Sequence, residues 1–534
     1  MHTLTSWKER IARLSTRKRY ALAFALGLLS VLALPPLHIV PVLVPSFVGL
    51  AWLLDAAPTR RAAFFTGWWF GWGFFIAGLY WMSYSFLVDA AQFGWMIPFA
   101  VPGLSAVAAI YIGLATLATH WLAPAGLRRV ALLPVAWVVF EYLRGILLTG
   151  FPWNLIGSVW TFDAPMMQSL SVYGAYGLSL ITVCAAIAPA AFADATASPR
   201  ARWTTFSLSA ALLAIVWIGG AMRLADAPTD SVPGVRLRLI QPDVAQSLKW
   251  QPELRAEIMQ RLLTMSAEPA QGLQPTHIIW PETAVPVFLE HSPADLAALA
   301  RVTPPNGALI TGAARIRRGG ERENDIQLWN SIHVVDAEAR ILATYDKFHL
   351  VPFGEYMPLP AFLGRLALAA ERVDFSPGPG PVTLTIAGAP PASPLICYEA
   401  IFPGHVTAPR EDGAARPQWL LNVTNDAWFG ISSGPYQHLA SARMRAVEEG
   451  VPLVRAANNG VSGIFDAYGR VRAEAGLGRR AVIDADLPTP TPGATLYSRY
   501  GNHTLLVVLL IYVVVFPVFP KGRIRATFRK SRIQ

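Results

Sequence analysis

Long apolar runs in the first 225 residues constrain the fold of this chain more than any other feature. A helix that crosses the hydrocarbon core of a bilayer needs about 20 apolar residues. Runs near that length lie at residues 21–37, 39–56, 63–88, 95–122, 130–148, 171–193 and 203–224, and another lies at 504–519. The sequence therefore predicts a polytopic α-helical membrane bundle, in which the first two runs form either two crossings or one re-entrant hairpin.

The overall composition agrees with a lipid environment. Hydrophobic residues make up 53% of the 534 residues and charged residues 15%, whereas a soluble domain carries about 25% charged residues. Disordered chains are poor in apolar and aromatic residues, so disorder is excluded. The two cysteines are too few for a small disulfide-stabilised scaffold.

The basic residues indicate how the chain is oriented. The net charge is +10, and Lys and Arg cluster before the first run, after the second, fourth and sixth runs, and after the last, whereas segment 83–94 has none. Because Lys and Arg stay on the cytoplasmic side, we expect two cytoplasmic termini and an external segment between the seventh and eighth runs. The charges are not gathered on one folded segment, so no nucleic-acid partner is expected.

Glu141 and Arg144 are ionisable residues within the fifth run. Charged groups at membrane depth are costly and commonly functional, but residues three apart on a helix can also neutralise each other. Two interpretations follow: a pair that helps to shape a lipid-facing cavity, or a pair that only cancels its own charge.

Residues 226–499 differ in character from the rest of the chain. Short β-rich runs lie at 235–240, 277–280, 308–313, 331–335, 341–345, 395–397, 419–423, 453–456, 463–465 and 481–483, with amphipathic helical segments at 252–265 and 436–449. Several runs are continuously apolar, as in strands buried on both faces, which indicates a layered α/β domain. We therefore expect three parts: a membrane bundle at 1–225, an α/β domain at 226–499, and a final span with a basic tail at 500–534.

A carboxylate, an ammonium and a thiol each follow a predicted strand of this domain: Glu282, Lys347 and Cys397. This set suits acyl transfer, because a thiol attacks carbonyls as its thiolate, a carboxylate can accept its proton, and a lysine with a backbone N–H can stabilise an oxyanion. Each residue alone also has a structural interpretation: a strand-end cap, half of an ion pair, or a small buried hydrophobe. The other cysteine, Cys184, lies in the sixth run, so Cys397 lacks a disulfide partner and reactivity is the favoured explanation.

The motifs around these residues carry a resemblance. They are QSLKW at 246–250, FGEYMP at 353–358, ICYE at 396–399, NDAWFG at 425–430, GPYQH at 434–438 and NNG at 458–460. Together they resemble the carbon–nitrogen hydrolase (nitrilase) superfamily and, within it, the apolipoprotein N-acyltransferase family. The resemblance covers essentially the whole chain and implies an exoplasmic nitrilase-like domain, an α-β-β-α sandwich with a Glu–Lys–Cys triad, between membrane spans.

The resemblance implies an enzyme of the bacterial inner membrane with its catalytic domain on the periplasmic side. It would take an acyl chain from a phospholipid, typically phosphatidylethanolamine, through a thioester on Cys397. It would then pass that chain to the α-amino group of the N-terminal diacylglyceryl-cysteine of an apolipoprotein, with ping-pong kinetics. Glu282 would be the general base and Lys347 the oxyanion partner.

The resemblance also implies supporting or substrate-binding roles for Glu355, Trp250, Tyr398 and Glu399, and it requires no cofactor. No metal site is expected, because the histidines lack ligand spacing such as H-x-x-x-H. Residues 360–370 are rich in Leu and Ala. They form either an arm that dips into the membrane interface or a buried loop helix.

Two other functions stay open from the residues alone. A membrane-tethered amidase or nitrilase acting on a small soluble nitrogen compound would use the same triad. A transporter or lipid-binding protein with a structural external domain would carry more paired ionisable residues across its spans than Glu141 and Arg144.

Overall fold

The computed structural model describes residues 2–249, 251–270, 272–319, 326–358, 374–409 and 415–516. It divides the chain into two units. The first comprises Met1–Tyr80, Trp95–Ala225 and Arg499–Gln534, and the second comprises Trp81–Gly94 and Asp226–Ser498. The short segment Trp81–Gly94 therefore groups with the second unit, although it lies between two apolar runs of the sequence.

The first unit is helical. Its longer helices in the first 225 residues are α1 His2–Ala12, α2 Thr16–Ser30, α3 Leu43–Asp55, α4 Arg60–Gly78, α5 Ile97–Leu122, α6 Leu127–Ile146, α7 Leu170–Ile187 and α8 Pro199–Ala225. A short helix, Ala164–Gln168, precedes α7, and the helix His503–Val515 closes the unit. Each of the seven predicted apolar runs before residue 225 overlaps one of the longer helices, and the described part of the eighth run overlaps His503–Val515. The predicted helical membrane bundle is therefore confirmed.

Not every helix is long enough to cross a bilayer by itself. Within the described residues, the segments that combine sufficient length and apolar character are Ala90–Leu122, Leu127–Thr149, Leu170–Ala193 and Pro199–Ala225, with Arg60–Gly78 and Tyr80–Leu87 as a fifth if this bent pair forms one span. The helices α2 and α3 have 15 and 13 residues, fewer than the roughly 20 of a complete crossing. The last predicted run extends beyond residue 516 and so lies partly outside the described residues.

Small residues let helices α2 and α4 approach closely. A Cβ atom added at Gly27 would lie 2.0 Å from the carbonyl oxygen of Phe70, and one added at Gly73 would lie 2.1 Å from that of Phe24. The two backbones are therefore in direct contact at both glycines. Such contacts are typical of membrane helices, which associate by close packing rather than by burial from water.

Glu141 and Arg144 both bind the chain that follows α6. Glu141 Oε1 accepts a hydrogen bond of 3.0 Å from the backbone N–H of Ile156, and Arg144 Nη1 donates one of 2.8 Å to the carbonyl oxygen of Trp153. The Arg144 guanidinium also stacks over the ring of Phe75 at 5.0 Å. The two buried side chains thus fix the non-helical segment after α6 against the bundle.

The second unit is built on two β-sheets. Its described residues contain the strands β1 Ser231–Gln241, β2 His277–Ile279, β3 Ala308–Arg318, β4 Ile326–Val335, β5 Ile341–Asp346, β6 Ala392–Ile396, β7 Trp419–Thr424, β8 Leu453–Ala457, β9 Ser462–Phe465, β10 Val471–Ala475 and β11 Ala481–Pro488. The first sheet has the order β11-β1-β2-β3-β4-β5, and the second has the order β10-β9-β8-β7-β6.

Each sheet contains three parallel strands, which lie inside the first sheet and at one edge of the second. Strands β1, β2 and β3 run parallel in the first sheet, and β6, β7 and β8 run parallel in the second. The remaining neighbours pair antiparallel. Strand β7 (WLLNVT) is buried along its whole length, as expected for a parallel strand that is covered on both faces.

Helices cover the outer faces of the two sheets. They are α9 Arg255–Ser266, α10 Pro293–Ala300 and α11 Gly434–Glu449, and the unit also has the short helices Ser83–Leu87, Ala90–Phe93 and Leu496–Tyr500. Helices α9 and α10 pack on the first sheet and α11 packs on the second, while side chains from both sheets share one core between them. The predicted α-β-β-α sandwich is therefore confirmed.

Candidate active site

The three residues predicted to carry the chemistry lie together at strand ends of the second unit. Glu282 follows β2, Lys347 directly follows β5, and Cys397 directly follows β6. All three are at least nine-tenths buried. Lys347 Nζ lies 4.0 Å from Glu282 Oε1, and the Cys397 thiol interacts electrostatically with both groups. The two sheets thus each contribute part of one cluster.

Cys397 has a backbone conformation that side chains rarely adopt. Its φ angle is +51°, in the left-handed region where a residue with a Cβ is disfavoured. The residue begins a tight turn, Cys397–Ile401, that leaves the end of β6. A nucleophile at a sharp turn after a strand is held away from the sheet, and such local strain persists only when surrounding contacts enforce it.

A buried network of side chains supplies those contacts. His438 on α11 lies with Nε2 3.0 Å from the carbonyl oxygen of Cys397 and with Nδ1 2.8 Å from Asp426 Oδ1. Arg455 donates a hydrogen bond of 2.7 Å to Asp426 Oδ2. Burial alone would raise the pKa of Asp426, but Arg455 and His438 lower it to about 2. The carboxylate is therefore charged, and the network anchors the backbone of the nucleophile.

The same residues include a group that resembles a metal site. Ligand atoms of Cys397, Asp426 and His438 lie within 4.8 Å of one another. However, both oxygens of Asp426 and both nitrogens of His438 already have hydrogen-bond partners in the protein. The guanidinium of Arg455, which pairs with Asp426, would also repel a cation bound to these residues. This donor set suits a hydrogen-bond network better than a metal ion.

Glu355 and Asn330 surround the lysine. Lys347 Nζ lies 2.8 Å from Glu355 Oε2, and the same oxygen accepts a hydrogen bond of 2.8 Å from the backbone N–H of Val351. The side-chain amide of Asn330 donates both to Glu282 Oε1, at 2.7 Å, and to Glu355 Oε1, at 3.0 Å. Asn330 therefore links the carboxylates of Glu282 and Glu355, and Glu355 also binds the ammonium of Lys347.

The charges around the thiol and the lysine set their protonation. Burial, with Glu282 and Asp426, raises the pKa of the Cys397 thiol above its ordinary value, against the opposing effect of Lys347. Burial would lower the pKa of Lys347, but the carboxylates of Glu355 and Glu282 outweigh it and raise that pKa. The resting cluster therefore holds a protonated thiol and a permanent ammonium. A base is needed to generate the thiolate.

Glu399 is completely buried and binds the turns that carry the lysine and the thiol. It accepts hydrogen bonds of 2.7 Å from the N–H of Ile396, 2.8 Å from that of Phe348 and 2.9 Å from the hydroxyl of Tyr345. Burial raises the pKa of Glu399 to about 7, although the backbone N–H donors and Lys347 oppose the shift. Glu399 thus joins the end of β5 to the end of β6.

Tyr398 packs in an aromatic cluster beside the nucleophile. Its ring centroid lies 5.6 Å from that of His349 and 5.0 Å from that of Phe402, and the latter two rings stack at 3.8 Å. Two other predicted features, Trp250 and the segment 360–370, lie outside the described residues.

Lys249 also lies at this cluster, although the sequence predicts no role for it. Its Nζ donates hydrogen bonds of 2.9 Å to the carbonyl oxygen of Glu282 and 2.7 Å to Thr283 Oγ1. The side chain is only 3% exposed. Lys249 belongs to the QSLKW motif, so the sequence did mark this segment. The lysine is distant in sequence from the three strand ends, however, and no local pattern predicts that it reaches the site.

Known proteins resemble this chain along almost its whole length. A family model described as "Apolipoprotein N-acyltransferase N-terminal domain" matches residues 26–188, and one described as "Carbon-nitrogen hydrolase" matches residues 236–495. The apolipoprotein N-acyltransferase of Rhodopseudomonas palustris is 42% identical over 95% of this chain and 96% of its own. That of Bradyrhizobium diazoefficiens is 42% identical over 93% of this chain and 94% of its own.

Among solved structures, Saccharomyces cerevisiae Nit3, a member of branch 10 of the nitrilase superfamily, is 17% identical and aligns with a TM-score of 0.33, covering 54% of this chain and 96% of that chain. The family models match both halves of the sequence, and the two relatives are aligned over 93–95% of it. On that basis, the chain belongs to the apolipoprotein N-acyltransferase family and is an acyltransferase with a membrane bundle and a nitrilase-like domain.

Proposed function

We propose that this protein moves an acyl chain from a phospholipid, typically phosphatidylethanolamine, to the α-amino group of the N-terminal diacylglyceryl-cysteine of a lipoprotein. The acyl chain travels as a thioester on Cys397. Family membership supports the lipoprotein acceptor. The observation that carries the mechanism is the buried cluster of Glu282, Lys347 and Cys397, because it combines a base, a cation and a nucleophile.

In the first half-reaction, Glu282 takes the thiol proton and the Cys397 sulfur attacks the ester carbonyl of the phospholipid. Lys347 and a backbone N–H beside Cys397 stabilise the oxyanion that forms. The carbon–oxygen bond of the ester breaks, and the departing alkoxide recovers the proton from Glu282. A lysophospholipid leaves and the thioester remains, as covalent catalysis requires.

In the second half-reaction, the α-amino group of the lipoprotein attacks the thioester. Glu282 takes a proton from the amine as the new amide forms, and it returns this proton to the departing sulfur. The enzyme is then restored with no net gain or loss of protons. Burial of the cluster matters here because water would otherwise hydrolyse the thioester.

The supporting residues either hold the three central groups or contribute to substrate binding. Glu355 holds Lys347, and Glu399 binds the backbone directly after the lysine, at Phe348, and directly before the nucleophile, at Ile396. Tyr398 lies directly beside Cys397 and contributes an apolar ring to the substrate side of the site. Trp250 is proposed to contact substrate on the strength of the family resemblance alone.

The proposed setting is the bacterial inner membrane. We propose that residues 1–225 and 500–534 form the membrane part, that residues 226–499 form a periplasmic catalytic domain, and that both termini are cytoplasmic. The distribution of Lys and Arg supports this orientation. Both substrates are lipids, so their reacting groups lie at the level of the headgroups, where a membrane-anchored domain can meet them.

The central experiment looks for the thioester. Purified full-length protein is incubated with phosphatidylethanolamine carrying a labelled acyl chain, and the Cys397 peptide is analysed by mass spectrometry before and after addition of a diacylglyceryl peptide. The proposal expects an acyl adduct on Cys397 that is discharged onto the peptide amine. The Cys397→Ala variant should form none, whereas Cys184→Ala, which removes the other cysteine, should behave as the wild type.

Other outcomes would contradict the proposal in different ways. An adduct that is discharged only by water would indicate a hydrolase, and acyl transfer that survives in Cys397→Ala would exclude the thioester. Orientation is tested separately with a membrane-impermeant maleimide. A cysteine introduced at Leu273, which is 76% exposed in the second unit, should react in cells with a permeable outer membrane, whereas one introduced at the exposed Ser15 should react only after lysis.

A further inference from the structure

Lys249 occupies an unusual place beside the proposed base. Its ammonium is buried and does not pair with the carboxylate of Glu282 at hydrogen-bond distance. It binds instead the backbone carbonyl of Glu282 and the hydroxyl of the next residue, Thr283. It also interacts electrostatically with both the Glu282 carboxylate and Cys397. A buried charge is costly, so a lysine used only to bind a carbonyl and a hydroxyl calls for an explanation.

The backbone that Lys249 binds is strained. Thr283 has a φ angle of +44°, which is a true outlier for a residue branched at Cβ. The turn also rests directly on β3: a Cβ atom at Gly312 would lie 2.5 Å from the N atom of Thr283 and 2.6 Å from the Cα atom of Glu282. The turn is therefore in contact with both a bare glycine and the ammonium.

The segment that carries Lys249 is fixed by amide side chains from the second sheet. The amide of Asn425 donates to Gln246 Oε1 at 2.6 Å, and that of Asn458 donates to Asn425 Oδ1 at 2.9 Å and to the carbonyl oxygen of Val244 at 2.8 Å. Lys249 thus extends from a segment anchored at the ends of β7 and β8 to the turn after β2. It links the sheet of the nucleophile to the sheet of the base.

We propose that Lys249 is a positioning residue for acyl transfer, whose ammonium holds the strained Glu282–Thr283 backbone so that the Glu282 carboxylate stays directed at the Cys397 thiol. This inference rests on the proposed function, because it takes Glu282 as the general base. Lys249 also favours the thiolate through its positive charge. It differs from Lys347, which binds Glu355 and is proposed to stabilise the oxyanion.

The protonation of Lys249 gives the inference a measurable signature. Burial lowers the pKa of Lys249 to about 8, although Glu282 and Cys397, the titratable groups that face it, oppose the shift. As pH rises through 8 the ammonium loses its proton and its charge. The positioning role therefore predicts a decline in the rate of Cys397 acylation above about pH 8, whereas a purely structural lysine would give none.

The test compares Lys249→Met and Lys249→Arg with the wild type in the full-length protein. The rate of Cys397 acylation by labelled phosphatidylethanolamine is measured from pH 6 to 10. Alkylation of Cys397 by iodoacetamide at pH 7 is followed by mass spectrometry, and melting temperatures are recorded. Lys249→Met should lower acylation about 100-fold, as a displaced catalytic group does, with an unchanged KM for phospholipid. It should also slow alkylation about tenfold, equivalent to one pKa unit.

Matched variants separate positioning from folding. Lys249→Arg, which keeps the charge above pH 8, should recover part of the rate and lose the alkaline decline. Thr283→Val, which removes only the hydroxyl acceptor, should lower acylation more than Thr283→Ser, which keeps it. Lys18→Met, the same replacement at an exposed lysine, should change nothing.

Each result bears on the inference. It is overturned if Lys249→Met acylates Cys397 at the wild-type rate, or if its loss of activity only follows a lower melting temperature and leaves the pH profile unchanged. If the wild type forms no thioester from phospholipid, the proposed function fails, and the alkylation rates decide separately on Lys249. Slower alkylation in Lys249→Met would then still support it, and equal rates would refute it.

Discussion

The ammonium of Lys347 lies 2.8 Å from Glu355 and 4.0 Å from Glu282, so it is paired with the supporting carboxylate rather than with the proposed base. Asn330 donates to both carboxylates and links them. This arrangement agrees with the proposal that Glu282 exchanges a proton with the thiol. The two carboxylates can have different roles because their hydrogen-bond partners differ.

Replacing Glu355 by Gln should therefore damage catalysis through Lys347. The neutral amide cannot hold the ammonium by charge, and Lys347 would shift toward Glu282 and away from the oxyanion position. We expect the rate of Cys397 acylation to fall about 10- to 100-fold, measured with labelled phospholipid. Glu338→Gln, at an exposed carboxylate of the same unit, is the control. Equal rates in both variants would argue against the assigned role of Glu355.

Glu282→Gln should move two measurements of Cys397 in opposite directions. The charge of Glu282 helps to raise the pKa of the thiol, so its removal lowers that pKa and increases the thiolate fraction at neutral pH. Alkylation by iodoacetamide should become faster in this variant, and in both proteins it should accelerate as pH rises. Acyl transfer should nevertheless fall by about 100-fold or more, because the base is lost. Parallel changes in the two rates would contradict the assignment of Glu282 as a base.

Most strands of the second unit follow from the sequence because continuous apolar runs between turn residues determine them. Strand β7 is an example, since all its residues are buried. Strand β10 was not predicted: its sequence VRAEA is partly exposed at a sheet edge and carries neither an apolar run nor clear alternation. Helix α10, with eight residues, is likewise too short for a periodic signal.

The sequence predicts a site residue only where a side chain suited to the reaction follows a predicted strand. Glu282, Lys347 and Cys397 each follow an apolar run, so their grouping was foreseeable. Lys249 lies in a loop, and its contact with the turn after β2 depends on how Gln246 is bound by Asn425 of the other sheet. Such a contact arises from the packing of two sheets and has no local pattern in the sequence.

Asp426→Asn should strongly destabilise the second unit. The change leaves the buried guanidinium of Arg455 without its charged partner and weakens the contact of His438 with the Cys397 backbone. Breaking a buried pair in this way costs about 3–5 kcal/mol. The control is Asp486→Asn, because Asp486 pairs with Arg236 but is half exposed. That change should cost no more than about 1 kcal/mol. Melting temperatures in detergent compare the two.

The stabilisation by Asp426 should also depend on pH. Its pKa is lowered from 3.8 to about 2 in the folded protein, so the folded state binds fewer protons than the unfolded state between these values. The contribution is therefore complete above pH 3.8 and is lost as pH falls through about 2. The difference in melting temperature between wild type and Asp426→Asn should narrow over that interval. A constant difference would mean that the carboxylate charge is not the stabilising feature.

Gly312→Ala should disable the site without unfolding the unit. The added methyl group would lie 2.5–2.7 Å from backbone atoms of Pro281, Glu282 and Thr283, which no side-chain rotation can relieve. The turn must therefore move away from β3, and it takes the Glu282 carboxylate with it. Overpacking of this kind costs about 1–3 kcal/mol, while a displaced base should lower acylation about 100-fold.

The matched control for this change is Gly476→Ala, because a Cβ atom there would meet nothing within 4 Å. Acylation of Cys397 and melting temperature are measured for both variants. Since Gly312 and Lys249 both contact the turn that carries Glu282, the double variant Gly312→Ala/Lys249→Met should lose less activity than the product of the two single losses. Multiplicative losses would mean that the glycine and the lysine act on the base independently, and not through the turn that both contact.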